Sequence, residues 1–216
     1  MIMRPEDIKI KPLFPEHYVN YKSNHKDILP SKEALLFESV LDKSATERKV
    51  QRYIKSNKKW FIPYSILDGY PFYHHGGAYL FVEQQLGTKH RVDYCLLADD
   101  SDGYHLLLVE LEMPNTQYLL QESNTESKAV RKGLTQIRDW RIWLDDNRAY
   151  FLKNIGLSDK GIDIPMSRIH YCLVVSRRKF MDERAKKIRS DTMAENTNLR
   201  IITYDRIVDN IANLEM

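Results

Sequence analysis

Three acidic side chains in neighbouring segments of this sequence are spaced in a way that suits metal binding. Glu110 and Glu112 lie at the end of the apolar run GYHLLLVELEMP, and Asp93 lies in the preceding run HRVDYCLLADD. Side chains two residues apart on a strand point to the same side, so Glu110 and Glu112 should lie about 7 Å apart on one face. A turn at residues 99–103 would bring Asp93 alongside them. Carboxylates this close repel one another unless they take up protons or bind a hard cation such as Mg²⁺ or Mn²⁺.

The same acids also allow a plainer interpretation. Met113-Pro114 would end the strand directly after Glu112, so both glutamates could be solvated residues at a frayed strand end. The RVDY segment favours metal binding, because it supplies a third carboxylate on the adjacent strand.

Alternating strands and helices can hold such a site between them. The runs GGAYLFVEQQLG, HRVDYCLLADD and GYHLLLVELEMP predict a three-stranded meander with turns at Gly87 and at Asp102-Gly103. A helix is predicted in KAVRKGLTQIRDWRIWL, whose apolar stripe contains Gly133, Ile137, Trp140 and Leu144. Two further strands, RIHYCLVVS and NLRIITY, flank the helical segment RRKFMDERAKKIR, and YDRIVDNIANL closes the chain as a helix. This order predicts an α/β fold with a central mixed sheet flanked by helices.

The region before the meander predicts an arm and two helices. The first thirty residues contain four prolines and no sustained period, and a first helix should follow with Ser31 as its cap. A second helix should begin near Ser44, where Ser44-Ala45-Thr46-Glu47 fits a capping box. His74-His75 lacks a third metal ligand at a suitable spacing, so we expect a polar loop there.

Composition and charge exclude several classes of protein. Hydrophobic residues make up 43% and charged residues 29% of the 216 residues, which is typical of a folded domain and not of a disordered or membrane chain. The start of the chain carries no secretory signal, which favours the cytoplasm. Cys95 and Cys172 lie in apolar runs and predict small buried side chains, not a disulfide. Phosphate-loop, serine-hydrolase and zinc-protease motifs do not occur in the sequence.

The segment RVDYCLLADDSDGYHLLLVELEMP, followed by a helix with Gln136 and Trp140, resembles the PD-(D/E)XK nucleases and, within them, the Shedu-like branch. The resemblance runs from about Ala45 to the end of the chain. It implies an arm and helix at residues 1–44 and a nuclease domain with a restriction-endonuclease-like core at residues 45–216. In that reading Asp93, Glu110 and the Leu111 carbonyl hold Mg²⁺ (or Mn²⁺), and Gln136 orients water or phosphate.

Glu47 has two possible roles in this comparison. An acidic residue on the first core helix often completes the metal site in the superfamily, which would add Glu47 to the ligands. The alternative is the capping box described above.

One position departs from the family pattern. Glu112 stands where the resemblance leads us to expect Lys, so its carboxylate would act as a general base or bind a second ion. Lys132, one helical turn before Gln136, is a candidate for a displaced Lys, and the alternative is an ordinary exposed lysine. The departure also supports a different function, in which the nuclease fold has lost cleavage and serves as a nucleic-acid-binding or protein-interaction module.

Two basic stretches, residues 47–59 and 177–189, could neutralise phosphates, although each could equally be a solvated helix face. The resemblance favours DNA as the partner, bacterial antiphage defence as the setting, and a possible homo-oligomer. The predicted nucleic-acid contacts are Arg177, Arg178, Lys179, Lys186, Lys187 and Lys132.

Overall fold

The apolar runs of the sequence form one six-stranded mixed sheet in the computed structural model, which describes residues 12–19, 29–71 and 78–214. The first four strands of the sheet run antiparallel, and the fourth, fifth and sixth run parallel. In spatial order the strands are β1 (Tyr18–Val19), β2 (Ala78–Leu86), β3 (His90–Asp100), β4 (Gly103–Leu111), β5 (Ile169–Val174) and β6 (Leu199–Ile202). The predicted α/β fold with a mixed sheet is confirmed.

Helices cover both faces of the sheet. Their bounds are α1 (Pro30–Lys43), α2 (Glu47–Ser56), α3 (Phe61–Tyr64), α4 (Lys128–Asn154), α5 (Glu183–Glu195) and α6 (Tyr204–Ala212). Parallel strands need such crossovers, and α4 and α5 provide them between β4, β5 and β6. Within the described residues, every helix is too short or too polar to cross a lipid bilayer.

Side-chain alternation along the strands separates two hydrophobic cores. Leu106 and Leu108 of β4 face α4 and α5, whereas Leu107 and Val109 face α1, α2 and α6. Cys95 and Cys172 are buried free thiols on opposite faces, as the sequence predicted.

The meander places the acidic residues side by side. Tyr94 of β3 pairs with Val109 of β4, so Asp93 and Glu110 occupy the next cross-strand position on the face covered by α4. Gly87 and Gly103 have positive φ angles in the two predicted turns, a backbone conformation that residues other than glycine rarely adopt.

Several predicted helix starts are wrong. Leu29 caps α1 and Pro30 occupies its first turn, so Ser31 is not the cap, because proline already fits the start of a helix. Thr46 caps α2, and the Ser44 hydroxyl donates to the Val40 carbonyl 2.7 Å away. The basic segment 177–189 is helical only from Glu183, after a 3₁₀ turn at Arg178–Phe180.

The predicted arm is partly folded into the domain. Phe14 is buried against the sheet, and β1 pairs with β2. Residues 1–11, 20–28 and 72–77 lie outside the described part of the chain, and with them most of the predicted arm and the predicted loop at His74-His75.

Candidate functional site

Asp93 and Glu110 meet where β3 begins and β4 ends. Asp93 Oδ2 accepts a hydrogen bond of 2.8 Å from the Leu111 backbone N–H, which fixes the Asp93 carboxylate against the last residue of β4. Glu110 continues the inward-facing series of Leu106 and Leu108, and its side chain is buried, with 3% of the residue exposed. The strand register therefore forces two carboxylates into one largely desolvated position.

The electrostatics of this pair require either a proton or a cation to offset the charge of the two carboxylates. Burial, followed by repulsion from Asp93 and Glu112, raises the pKa of Glu110 well above its usual range. Burial also raises the pKa of Asp93, although the hydrogen bonds from Leu111 and Gln51 oppose the shift. Glu110 Oε2 is buried and has no hydrogen-bond partner among the described residues, so it is an acceptor without a donor.

The donor set fits a hard divalent cation held by few protein ligands. Across residues 12–19, 29–71 and 78–214, no three acidic, histidine or cysteine side chains converge closely enough to form a metal site. The expectation of three converging carboxylates is thus corrected to two, Asp93 and Glu110, beside Leu111. Mg²⁺ is commonly held by one or two carboxylates while it keeps several waters, so these residues fit that ion.

Glu112 is engaged by Lys132 instead of joining the pair. Its carboxylate Oε1 lies 2.7 Å from Lys132 Nζ, and the Glu112 side chain is only 2% exposed against 52% for Lys132. Burial would lower the pKa of Lys132, but the Glu112 carboxylate outweighs it and raises that pKa. Lys132 therefore lies at the site, with its ammonium beside the Glu112 carboxylate.

Helix α2 forms one wall of the site. Glu47, in its first turn, lines the same cleft as Asp93 and Glu110, and Gln51, one turn later, hydrogen-bonds to Asp93. With Thr46 as cap and the Ser44 hydroxyl bonded elsewhere, the capping-box interpretation of Glu47 is wrong. Gln51 was missed by sequence reasoning, although its spacing of four residues from Glu47 places both on one helix face.

Helix α4 forms the opposite wall. Gln136 lines the cleft, one turn after Lys132. At Gly133 the helix approaches the sheet so closely that an added Cβ would overlap Leu173 and lie 3.1 Å from Glu112 Cγ. The close approach explains why glycine occupies the apolar stripe, and it brings Lys132 within reach of Glu112.

The cleft between the two walls has a volume of about 670 Å³ and a basic rim. Exposed cations come from α2, from the hairpin of β2 and β3, and from the first turns of α4; they are Arg48, Lys89, Arg91, Lys128 and Arg131. Apart from Arg91, which pairs with Glu83, none of them has an ion pair with a described residue. Sequence reasoning noted the basic stretch containing Arg48 but did not select these residues, because the turn and α4 contribute only isolated charges.

Arg177 does not belong to a nucleic-acid surface, which corrects its prediction. The residue is 3% exposed, and its guanidinium donates to Asp205 at 2.9 Å, Asp42 at 3.1 Å and Glu38 at 3.1 Å. Three of the five guanidinium N–H groups donate to carboxylates, and the burial of Arg177 keeps the rest out of reach of a nucleic-acid backbone.

Four of the other five predicted basic contacts lie outside the cleft of Asp93 and Glu110. Lys179 pairs with Asp42, and Lys187 is exposed on α5. Arg178 and Lys186 line a second cleft beside β6. Lys132 alone among the six predicted contacts lines the cleft of Asp93 and Glu110.

Comparison with known proteins identifies a family that covers most of the chain. The sequence model of the family described as "Shedu protein SduA, C-terminal" matches residues 44–208, about three quarters of the chain and all of the residues that line the carboxylate cleft. No curated protein matches the sequence.

Proposed function

The chain belongs to the family of the Shedu protein SduA C-terminal region, and from this premise we propose that it is a Mg²⁺-dependent nuclease of a bacterial defence system. The observation that carries the proposal is the buried pair Asp93 and Glu110, whose carboxylates face one cleft, while Glu110 Oε2 has no hydrogen-bond partner among the residues that the structure describes. Phosphodiester hydrolysis is the reaction that such a site and its basic rim serve best.

Asp93, Glu110 and the Leu111 carbonyl would hold the cation. When bound, a divalent cation polarises the phosphate and lowers the pKa of a coordinated water. The Leu111 N–H keeps Asp93 oriented, and Gln51 supports the same carboxylate from α2. The side chains that hold the cation would thus need little rearrangement when the cation binds.

Lys132, Glu112 and Gln136 would act on the phosphate and the attacking water. Lys132 Nζ, which emerges beside the carboxylate pair, is placed to offset negative charge that develops on the phosphate. Glu112 holds that ammonium in position. Gln136 can orient the water or a phosphate oxygen by hydrogen bonding.

The basic rim would bind the nucleic-acid backbone. Arg48 lies on the α2 wall of the cleft, and Lys128 and Arg131 lie on the α4 wall, so a phosphate chain could cross between the two walls. Contacts of this kind carry no sequence information, and their strength falls with salt. The logarithm of the DNA-association constant should fall linearly with the logarithm of the salt concentration. Replacing Arg131 by Gln should reduce that slope by about 0.9 if one phosphate contact is lost.

The test is cleavage of plasmid DNA, single-stranded DNA and RNA by the full chain with Mg²⁺ or Mn²⁺. We expect cleavage of at least one substrate, and its loss in Asp93→Asn and Glu110→Gln, which keep the shape of each side chain. Lys153→Gln is the control, because this lysine is exposed in the last turn of α4, outside the cleft, and should leave activity unchanged.

Thermal denaturation with and without the ion separates the two candidate functions. A functional metal site should raise the melting temperature with Mg²⁺, and Asp93→Asn should abolish that rise. If no substrate is cleaved and no ion stabilises the protein, while nucleic acid still binds, the chain is a binding module whose Glu112 marks the loss of cleavage.

A further inference from the structure

A second cleft, of about 700 Å³, runs along β6 at the edge of the sheet. Helix α5 forms one side of it, and α6 with the 3₁₀ turn Ser65–Gly69 forms the other. Its lining shares no residue with the carboxylate cleft. The proposed nuclease reaction makes no use of it.

Five cationic side chains line this cleft and one carboxylate, Asp68, faces them. The cations are Arg178, Lys186, Arg189, Arg200 and Arg206. Arg178 pairs with Asp209 and Lys186 with Glu183, but neither Arg189 nor Arg206 has an ion pair with a described residue. Arg189 Nε is buried and lacks a hydrogen-bond partner in the described part of the chain. Unpaired guanidinium groups that converge on one cavity are typical of phosphate recognition.

The cleft also has an apolar side. Ile66, Met193, Leu199 and Ile201 contribute to its lining between the cations. The cavity therefore matches a ligand that combines phosphate with a less polar group, and its volume lies within the range of small-ligand sites.

Two other occupants fit less well. A partner strand would need the outward donors of β6, but the Leu199 N–H already donates to the Asn196 carbonyl at 2.8 Å. The Ile201 N–H donates to Met193 Sδ at 3.2 Å. A second copy of this chain docked edge to edge would bring two sets of five cations together.

We propose that the cleft beside β6 binds a nucleotide, either free or as the 5′-phosphorylated end of a nucleic acid. Arg189 and Arg206 bind its phosphate, and the apolar side chains of β6 and Met193 contact its base. The site is separate from the carboxylate cleft and needs no divalent cation.

The test is isothermal titration calorimetry of the full chain in EDTA, with ADP, inorganic phosphate and a 5′-phosphorylated tetranucleotide as probes. We expect ADP or the tetranucleotide to bind at least tenfold more tightly than inorganic phosphate. Tighter binding of ADP would identify a free nucleotide as the ligand, and tighter binding of the tetranucleotide would identify the 5′-phosphorylated end of a nucleic acid. Arg189→Gln/Arg206→Gln should weaken that binding at least tenfold, and Arg206→Gln alone, on an exposed residue, provides the same test if the double variant fails to fold.

Controls keep this result independent of the nuclease proposal. Lys153→Gln, in the last turn of α4 and outside both clefts, and Asp93→Asn should both bind the probe like the wild type. Absence of binding by all three probes overturns the proposal, as does equal binding by Arg206→Gln and wild type. Binding of an acidic peptide in place of the nucleotides would also overturn it.

Discussion

Replacing Lys132 by Met removes the ammonium that faces the buried Glu112 carboxylate. At the observed 2.7 Å and an effective dielectric of 20, the gross attraction is about 6 kcal/mol. Half of the Lys132 side chain is exposed, so solvent screening should reduce the net coupling to about 1–2 kcal/mol. Lys132→Met should therefore lower the free energy of unfolding by that amount near pH 8.

A double-mutant cycle isolates the interaction. Urea denaturation of wild type, Lys132→Met, Glu112→Gln and the double variant gives the coupling energy directly. Glu112→Gln in the Lys132→Met background should recover part of the lost stability, because no carboxylate is then buried without its partner. Cleavage should be lost in both single variants if Lys132 acts on the phosphate.

The outcome against this reasoning is equally specific. A coupling energy below about 0.5 kcal/mol would mean that the pair is no stronger than an ordinary surface ion pair. Lys132 would then be an exposed helix residue whose position beside Glu112 has no role in the site.

Three further perturbations test other parts of the structure. Gly133→Ala should lower the free energy of unfolding by about 1–3 kcal/mol and reduce cleavage, since the added methyl overlaps Leu173 and crowds Glu112; urea melts and activity assays check both. Arg177→Met should destabilise the fold by about 3 kcal/mol yet leave the salt slope of nucleic-acid binding unchanged, which a filter-binding titration measures. Burial, together with the neighbouring His105, lowers the pKa of His170 to about 4. Between pH 6.5 and pH 4 the unfolded chain therefore binds a proton at His170 that the folded chain does not. The free energy of unfolding should fall as the pH drops through that window. In urea melts at a series of pH values, His170→Gln should make that fall in the free energy of unfolding smaller by about 1–2 kcal/mol. The same pH dependence in the variant and the wild type would show that His170 is not its source.

The strand pattern made the sheet and the acidic pair predictable. Alternation with period two placed Glu110 on the face of Leu106 and Leu108, and the turn at Gly103 fixed the register that brings Asp93 opposite it. These are local rules, and they depend on residues close together in the sequence. The ion pair between Glu112 and Lys132 was not predictable in the same way. It depends on how closely α4 packs against the sheet at Gly133, which is a long-range contact.

The basic residues show where sequence reasoning is weakest. A run such as RRKFMDERAKKIR has high charge density, but the structure divides it among a buried cluster around Arg177, a second cleft and open solvent. The rim of the carboxylate cleft instead draws single cations from three separate elements, among them Arg48 and Arg131. Charge density along a chain does not indicate charge density in space, since long-range contacts decide which faces meet.

The cluster around Arg177 determines where the chain can be shortened. Its partners Glu38 and Asp42 belong to α1, which precedes the start of the family match at residue 44. Deleting everything before that point would leave a buried guanidinium with only Asp205 and would uncover the apolar surface that Phe37 protects. An expression fragment cut to the recognised family limits should therefore be poorly soluble, while one that begins ahead of Pro30 keeps this cluster whole.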